Sequence, residues 1–285
     1  MQTLLDSATQ QVRGFDPARF AILVIVVCSA LSIAHAQQPF TTDDADVTPR
    51  HKFHFEFSNE YDLLQRSAFP NLKQNTADFE LDYGLFENVE IGIEAPLLTL
   101  INDRTAPLRR ATGIGDVNLS LKYNFLRERK GSRRPALAIA LNFEMPTGNP
   151  DRQLGSGLSD LYINGIVQKT LTKKTILRLN GGLLFSGNET TGALGVRARG
   201  LVLTSGASVV RQFSRKLDLG VELNGAVAPN LDLVKGRIQV MVGGNYSVNK
   251  NMTFDFGVVG GKDVGAPRLG LQLGVSIDII RKRKR

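Results

Sequence analysis

Val117-Asn-Leu-Ser-Leu-Lys-Tyr-Asn-Phe125 carries an apolar side chain at every odd position and a polar one at every even position. A period of two sends successive side chains to opposite faces of an extended strand, so one face here is apolar and the other polar. The same alternation opens with Phe53, Phe55 and Phe57. It closes with Leu269, Leu271, Leu273, Val275, Ile277 and Ile279. Between these ends it recurs, giving roughly twelve runs of about ten residues, each long enough to cross a bilayer when tilted. The expected fold class is all-β, an antiparallel transmembrane β-barrel of about 12 strands. Glycine is abundant (28 residues) and tryptophan absent, a composition that suits bent strands and turns better than helices.

Connections between the runs alternate in length. Short ones fall at Gly84 to Asn88, Arg127 to Arg134, Thr170 to Lys174 and Ser247 to Asn251, and longer ones lie between them. Outer-membrane barrels have short periplasmic turns, longer outer loops and both chain ends in the periplasm, which orients this chain. Phe53, Tyr83, Tyr123, Phe125, Phe213, Tyr246 and Phe254 fall near the ends so assigned, as aromatic residues at a membrane–water boundary do. A soluble sandwich buries both inner faces with shorter strands and gives no reason for one-sided clustering. The eighth run, about Arg197 to Phe213, is the least regular, because Ser205-Gly-Ala-Ser208 blurs its two faces.

Ala21 to Ala34 is a compact apolar run preceded by Arg13 and Arg19 and followed by Ala34-His-Ala36. That is the layout of a secretory signal peptide with a small-x-small cleavage site, and the run is shorter than the roughly 20 residues of a spanning helix. The expected organisation is a signal peptide over 1–36, an outer-membrane barrel over 37–280 and a basic tail over 281–285. The only cysteine, Cys28, lies inside the leader, so the expected exported chain has no disulfide framework, thiolate nucleophile or cysteine metal site. The formal net charge of +8 comes mostly from the five basic residues of the tail. No basic stripe with interleaved aromatics exists, so nucleic acid is not an expected partner. The tail reads as a solvated end or, more sharply, as a contact for anionic lipid headgroups.

Thr112-Gly-Ile-Gly-Asp116 leading into Leu119-x-Leu-x-Tyr123, Pro135-Ala-Leu-Ala138 leading to Pro146-Thr-Gly148, and Gly155-Ser-Gly157 carry a resemblance. Together they resemble the outer-membrane family named for the "MetA-pathway of phenol degradation". The resemblance implies an outer-membrane channel, in some members linked to uptake of aromatic compounds. The last strand departs from the usual barrel ending in an aromatic residue, since Ile279-Ile280 is followed by basic residues.

With apolar side chains outward, the alternate positions line the lumen. Candidate lining acids are Glu56, Asp78, Glu80, Asp82, Glu90, Glu94 and Glu144, and the candidate bases are Lys122, Arg178, Arg237 and Arg268. Acids on one wall facing bases on another would set charge selectivity across a pore. Pairing among them would instead fill the interior; a 12-stranded barrel lies between the packed eight-stranded and the open sixteen-stranded cases.

Enzyme readings fare poorly. His51 and His54 are the only imidazoles after the leader, and three residues apart on a strand they face opposite sides. Gly257 to Lys262 is one residue short of a P-loop and lacks its Ser or Thr. The chain is therefore expected to be no enzyme, with no cofactor and no metal. The expected function is a passive outer-membrane channel for small solutes, aromatic or apolar compounds among them. The alternative is a closed structural or adhesive barrel. Expected partners are outer-membrane lipid, the barrel-insertion machinery and a small-molecule solute.

Overall fold

The structure, a computed structural model, describes residues 38–186, 200–227, 237–263 and 265–279. The signal peptide expected over 1–36, the loop from Gly187 to Gly195 and the tail over 281–285 lie outside the described residues. The strands are β1 (Phe53–Leu63), β2 (Asn71–Phe86), β3 (Val89–Asn102), β4 (Arg110–Ile114) and β5 (Val117–Leu126). They continue as β6 (Ala136–Met145), β7 (Asp160–Thr172), β8 (Thr175–Ser186) and β9 (Gly200–Gln212). The series ends with β10 (Leu217–Val227), β11 (Arg237–Ser247), β12 (Met252–Lys262) and β13 (Leu269–Ile279). All neighbours pair antiparallel, and β13 returns to β1 with Phe53 opposite Ile279 and Leu63 opposite Leu269. β4 and β5 share one place in the ring, both pairing with β3, so the barrel closes with twelve staves.

The broken stave corrects one expectation. The longer connection expected ahead of the run Val117–Phe125 already holds β4, which pairs Arg110–Ile114 against Leu97–Ile101. Its inward positions, Ala111 and Gly113, are too small to write a period-two signal. Between β4 and β5 the chain bends at Gly115-Asp116, opposite Pro96, whose missing N–H cannot donate to a partner strand. Gly115 N–H donates instead to the Pro96 carbonyl at 2.8 Å.

Outward positions carry an apolar belt: Leu271 is 52% exposed, Leu273 56% and Val242 56%. An apolar surface that wide is a lipid-facing surface. Connections at one end are short at 87–88, 173–174, 213–216 and 248–251, but 127–135 is longer than a tight turn. The aromatic belt is not one-sided. Phe53 and Tyr83 (ring centroids 4.8 Å apart) and Tyr123 with Phe125 (6.3 Å) lie at the turn end. Tyr61, Phe143 and Phe185 are exposed near the loop end, so both rims carry aromatic residues.

Three of the motifs that carry the family resemblance, 112–116, 146–148 and 155–157, meet at the loop end. The Asp116 carboxylate accepts from Gly148 N–H (2.9 Å) and Ser156 N–H (2.6 Å), while Thr147 Oγ1 donates to the Gly115 carbonyl (2.8 Å). Gly148 and Gly155 approach backbone to backbone, and a Cβ on Gly148 would stand 2.8 Å from Gly155 Cα. This clasp folds the 146–159 connection inward and buries Leu154 against Leu64, Leu100 and Ala111.

Candidate solute path through the barrel

The interior is not left to the strands. Residues 38–50 enter the lumen ahead of β1 and run along the inner wall, meeting the strands in nearly reverse order. Gln38 accepts from Asn245 of β11 and from Gln272 of β13. Phe40 packs with Met241 and Val259, and its ring fills the space a side chain at Gly220 would occupy, 2.8 Å from an ideal Cβ there. Thr41 Oγ1 and Thr42 N–H donate to the Glu222 carboxylate of β10 at 2.7 and 2.5 Å. Asp43 N–H donates to Asn180 of β8 at 2.6 Å. Ala45 seats on Ala136, Ala138, Ala140 and Ile166, and its carbonyl accepts from Asn124. Thr48 N–H donates to Glu90 of β3 at 2.5 Å.

One cation organises the crossing. Lys122 Nζ, on β5, lies 3.1 Å from Asp43, 3.9 Å from Asp44 and 3.3 Å from Glu90. Arg178 Nη2, on β8, reaches Asp44 from the other side at 3.3 Å. These groups are nearly excluded from solvent, where charges require partners to be tolerated.

A cavity of about 470 Å³ is bordered by Gln38 and by Phe40 to Asp43 of the segment, and a second of about 270 Å³ by Asp44 and by Asp46 to Pro49. The larger is lined by Glu56, Glu80, Asp82, Glu90, Glu94 and Glu144, with Lys122 and Arg237 as its bases. The smaller takes in Asp82, Glu90 and Lys122 as well, with His54 and Asp278 toward the turn end. Of the remaining sequence candidates, Asp78 faces inward on β2, between the directly paired Ser58 and Pro96. Arg178 is buried against Asp44, and Arg268 is exposed just before β13, outside both cavities.

His54 is fixed at the β1–β13 seam, its Nδ1 2.7 Å from Asp278 and its Nε2 2.8 Å from Glu56. His51 stands outside with Nδ1 3.0 Å from the Tyr83 hydroxyl, so the two imidazoles do not share a site. Sequence reasoning missed the segment 38–50 and its Thr42, Asp43 and Asp44. Its signal is the clustering of Ala136, Ala138, Ala140, Gly206 and Gly220 on inward faces, which leaves space that only another stretch of chain fills. The blurred eighth run has the same cause, because Gly206 lies against Thr42.

The closed ring, lipid-facing belt and polar lumen define an outer-membrane β-barrel of the channel-forming architecture. The chain belongs to the family described as "Putative MetA-pathway of phenol degradation", whose model matches residues 39–279. Among solved structures, the COG4313 outer-membrane channel from Pseudomonas putida F1 is similar at a TM-score of 0.65 and 14% identity, covering 83% of this chain and 98% of that one. The NanC porin is similar at 0.54 and 10% identity, covering 78% and 98%. The KdgM porin, solved with a disordered oligogalacturonate, is similar at 0.53 and 11% identity, covering 79% and 98%. No curated protein matches the sequence.

Proposed function

We propose that this barrel is a passive channel for small solutes across the outer membrane, narrowed by its own residues 38–50. The observation that carries this reading is the pair of cavities, one bordered by the first half of the segment and the other by its second half, with Asp82, Glu90 and Lys122 in both walls. The polar contacts of that segment are ion pairs and hydrogen bonds, which can exchange for water without breaking the sheet, and its apolar anchors are Phe40 and Ala45. The family's description brings aromatic compounds among the solutes, and Phe40, Tyr162 and Leu184 are the large apolar or aromatic groups the larger cavity offers them. The leader over 1–36 would export the chain and the insertion machinery would place it among outer-membrane lipids. This reading gives neither imidazole a catalytic role: His51 meets the Tyr83 hydroxyl, and His54 is held between Asp278 and Glu56.

Planar-bilayer recording of the purified protein tests the reading. Discrete current steps are expected, with larger steps from a variant lacking residues 38–48. Absence of steps above background from both forms overturns the channel and leaves the closed structural or adhesive barrel.

A further inference from the structure

The strand register sets acidic side chains side by side around half of the lumen. Glu56 of β1 stands directly opposite Glu80 of β2, and Glu80 stands opposite Glu94 of β3. Glu94 pairs with Asn118 of β5, Asn118 with Glu144 of β6, and Glu144 with Asp160 of β7. Five carboxylates and one amide thus follow one another across six neighbouring strands. Directly opposed side chains have Cβ atoms about 4.5–5.5 Å apart, and like charges so placed destabilise a sheet. All six residues line the larger cavity. Its wall carries eight carboxylates against two cationic side chains among the described residues, and Lys122 is already engaged by Asp43, Asp44 and Glu90.

A second observation concerns hydrogen bonding. The Thr42 hydroxyl (the residue 1% exposed) and the amide oxygens of Asn164 (3%) and Asn224 (7%) have no partner in the protein, and all three residues line this cavity. These are groups that can accept. An ammonium group carries three donors, no acceptor and a positive charge, matching both the orphaned acceptors and the row of acids. Among the described residues no three carboxylates or imidazoles converge to chelate a metal ion. The row is therefore built for a cation that passes along it and not for one held in a cage.

We infer that the lumen selects cations, and that its preferred solutes are small organic amines in their ammonium form, drawn along the row Glu56–Glu80–Glu94–Asn118–Glu144–Asp160. This inference rests on the channel reading and names its solute class.

The test is the reversal potential of the full chain in a planar bilayer under a potassium chloride gradient. Permeability to K⁺ is expected to exceed that to Cl⁻ by about fivefold or more. Propylammonium added on one side is expected to reduce the K⁺ current. The double variant E80Q/E94Q is expected to bring the permeability ratio toward one and to relieve the propylammonium effect, while D103N, on the β3–β4 connection and in neither cavity wall, leaves both unchanged. A wild-type reversal potential at zero or of anion-selective sign overturns the inference while the channel stands. A complete absence of current overturns the channel and the inference with it. If the double variant does not fold, the wild-type sign and the propylammonium titration still decide.

Discussion

Lys122 has three carboxylates within 4 Å and a side chain only 7% exposed. Removing one member of such a buried set leaves the others uncompensated, at a cost on the order of 3–5 kcal/mol. Lys122→Met should therefore undock residues 38–50 and leave the barrel closed. The expected readout is rapid proteolysis within that segment beside an unchanged heat-modifiable gel mobility, and a segment as protected as wild type would contradict the assignment. A second residue-scale effect belongs to Glu128, on the turn after β5. Burial pushes its carboxyl up, but the Lys169 ammonium and Thr170 N–H pull it down further, so it sits below the ordinary glutamate value. A depressed folded value stabilises the fold above the unfolded value of about 4.3, and that contribution is lost as pH falls through the folded value. Glu128→Gln should then cost about 1 kcal/mol at neutral pH in urea unfolding and almost nothing near pH 3. Equal differences at both pH values would refute this role.

The strand pattern made most of the elements legible. Glu56, Glu80 and Glu94 could be placed inward from period alone, because a strand has only two faces. Their sideways alignment was not legible, since register depends on turn geometry and stagger that alternation does not encode. β4 was lost for a related reason: Ala111 and Gly113 face inward and give no amplitude to the pattern. The clasp at Asp116 is the counterpart among connections. Thr112 to Asp116, Pro146 to Gly148 and Gly155 to Gly157 are separate motifs in the sequence, and only the fold shows the second and third held by Asp116. Asp116→Ala removes two backbone hydrogen bonds to a carboxylate, worth about 1.5–3 kcal/mol each. It should release the 146–159 connection, seen as new protease cleavage there and noisier single-channel current. A quiet, uncut variant would show that Leu154 packing alone holds it.

At the scale of the whole molecule, closure is carried by the register of β1 on β13, where every residue from Phe53 to Leu63 has a partner. His54 adds a side-chain tie across that seam through Asp278. The partners of residues 38–50 are dispersed around the ring: Asn245 and Gln272 come from β11 and β13, Glu222 from β10, Asn180 from β8 and Glu90 from β3. Their docking surface exists only once the last strand has joined the first. Synthesis runs the other way, delivering this segment ahead of every strand. The stretch of the barrel that emerges earliest must therefore wait, unengaged, until the assembly that will hold it has been completed around it.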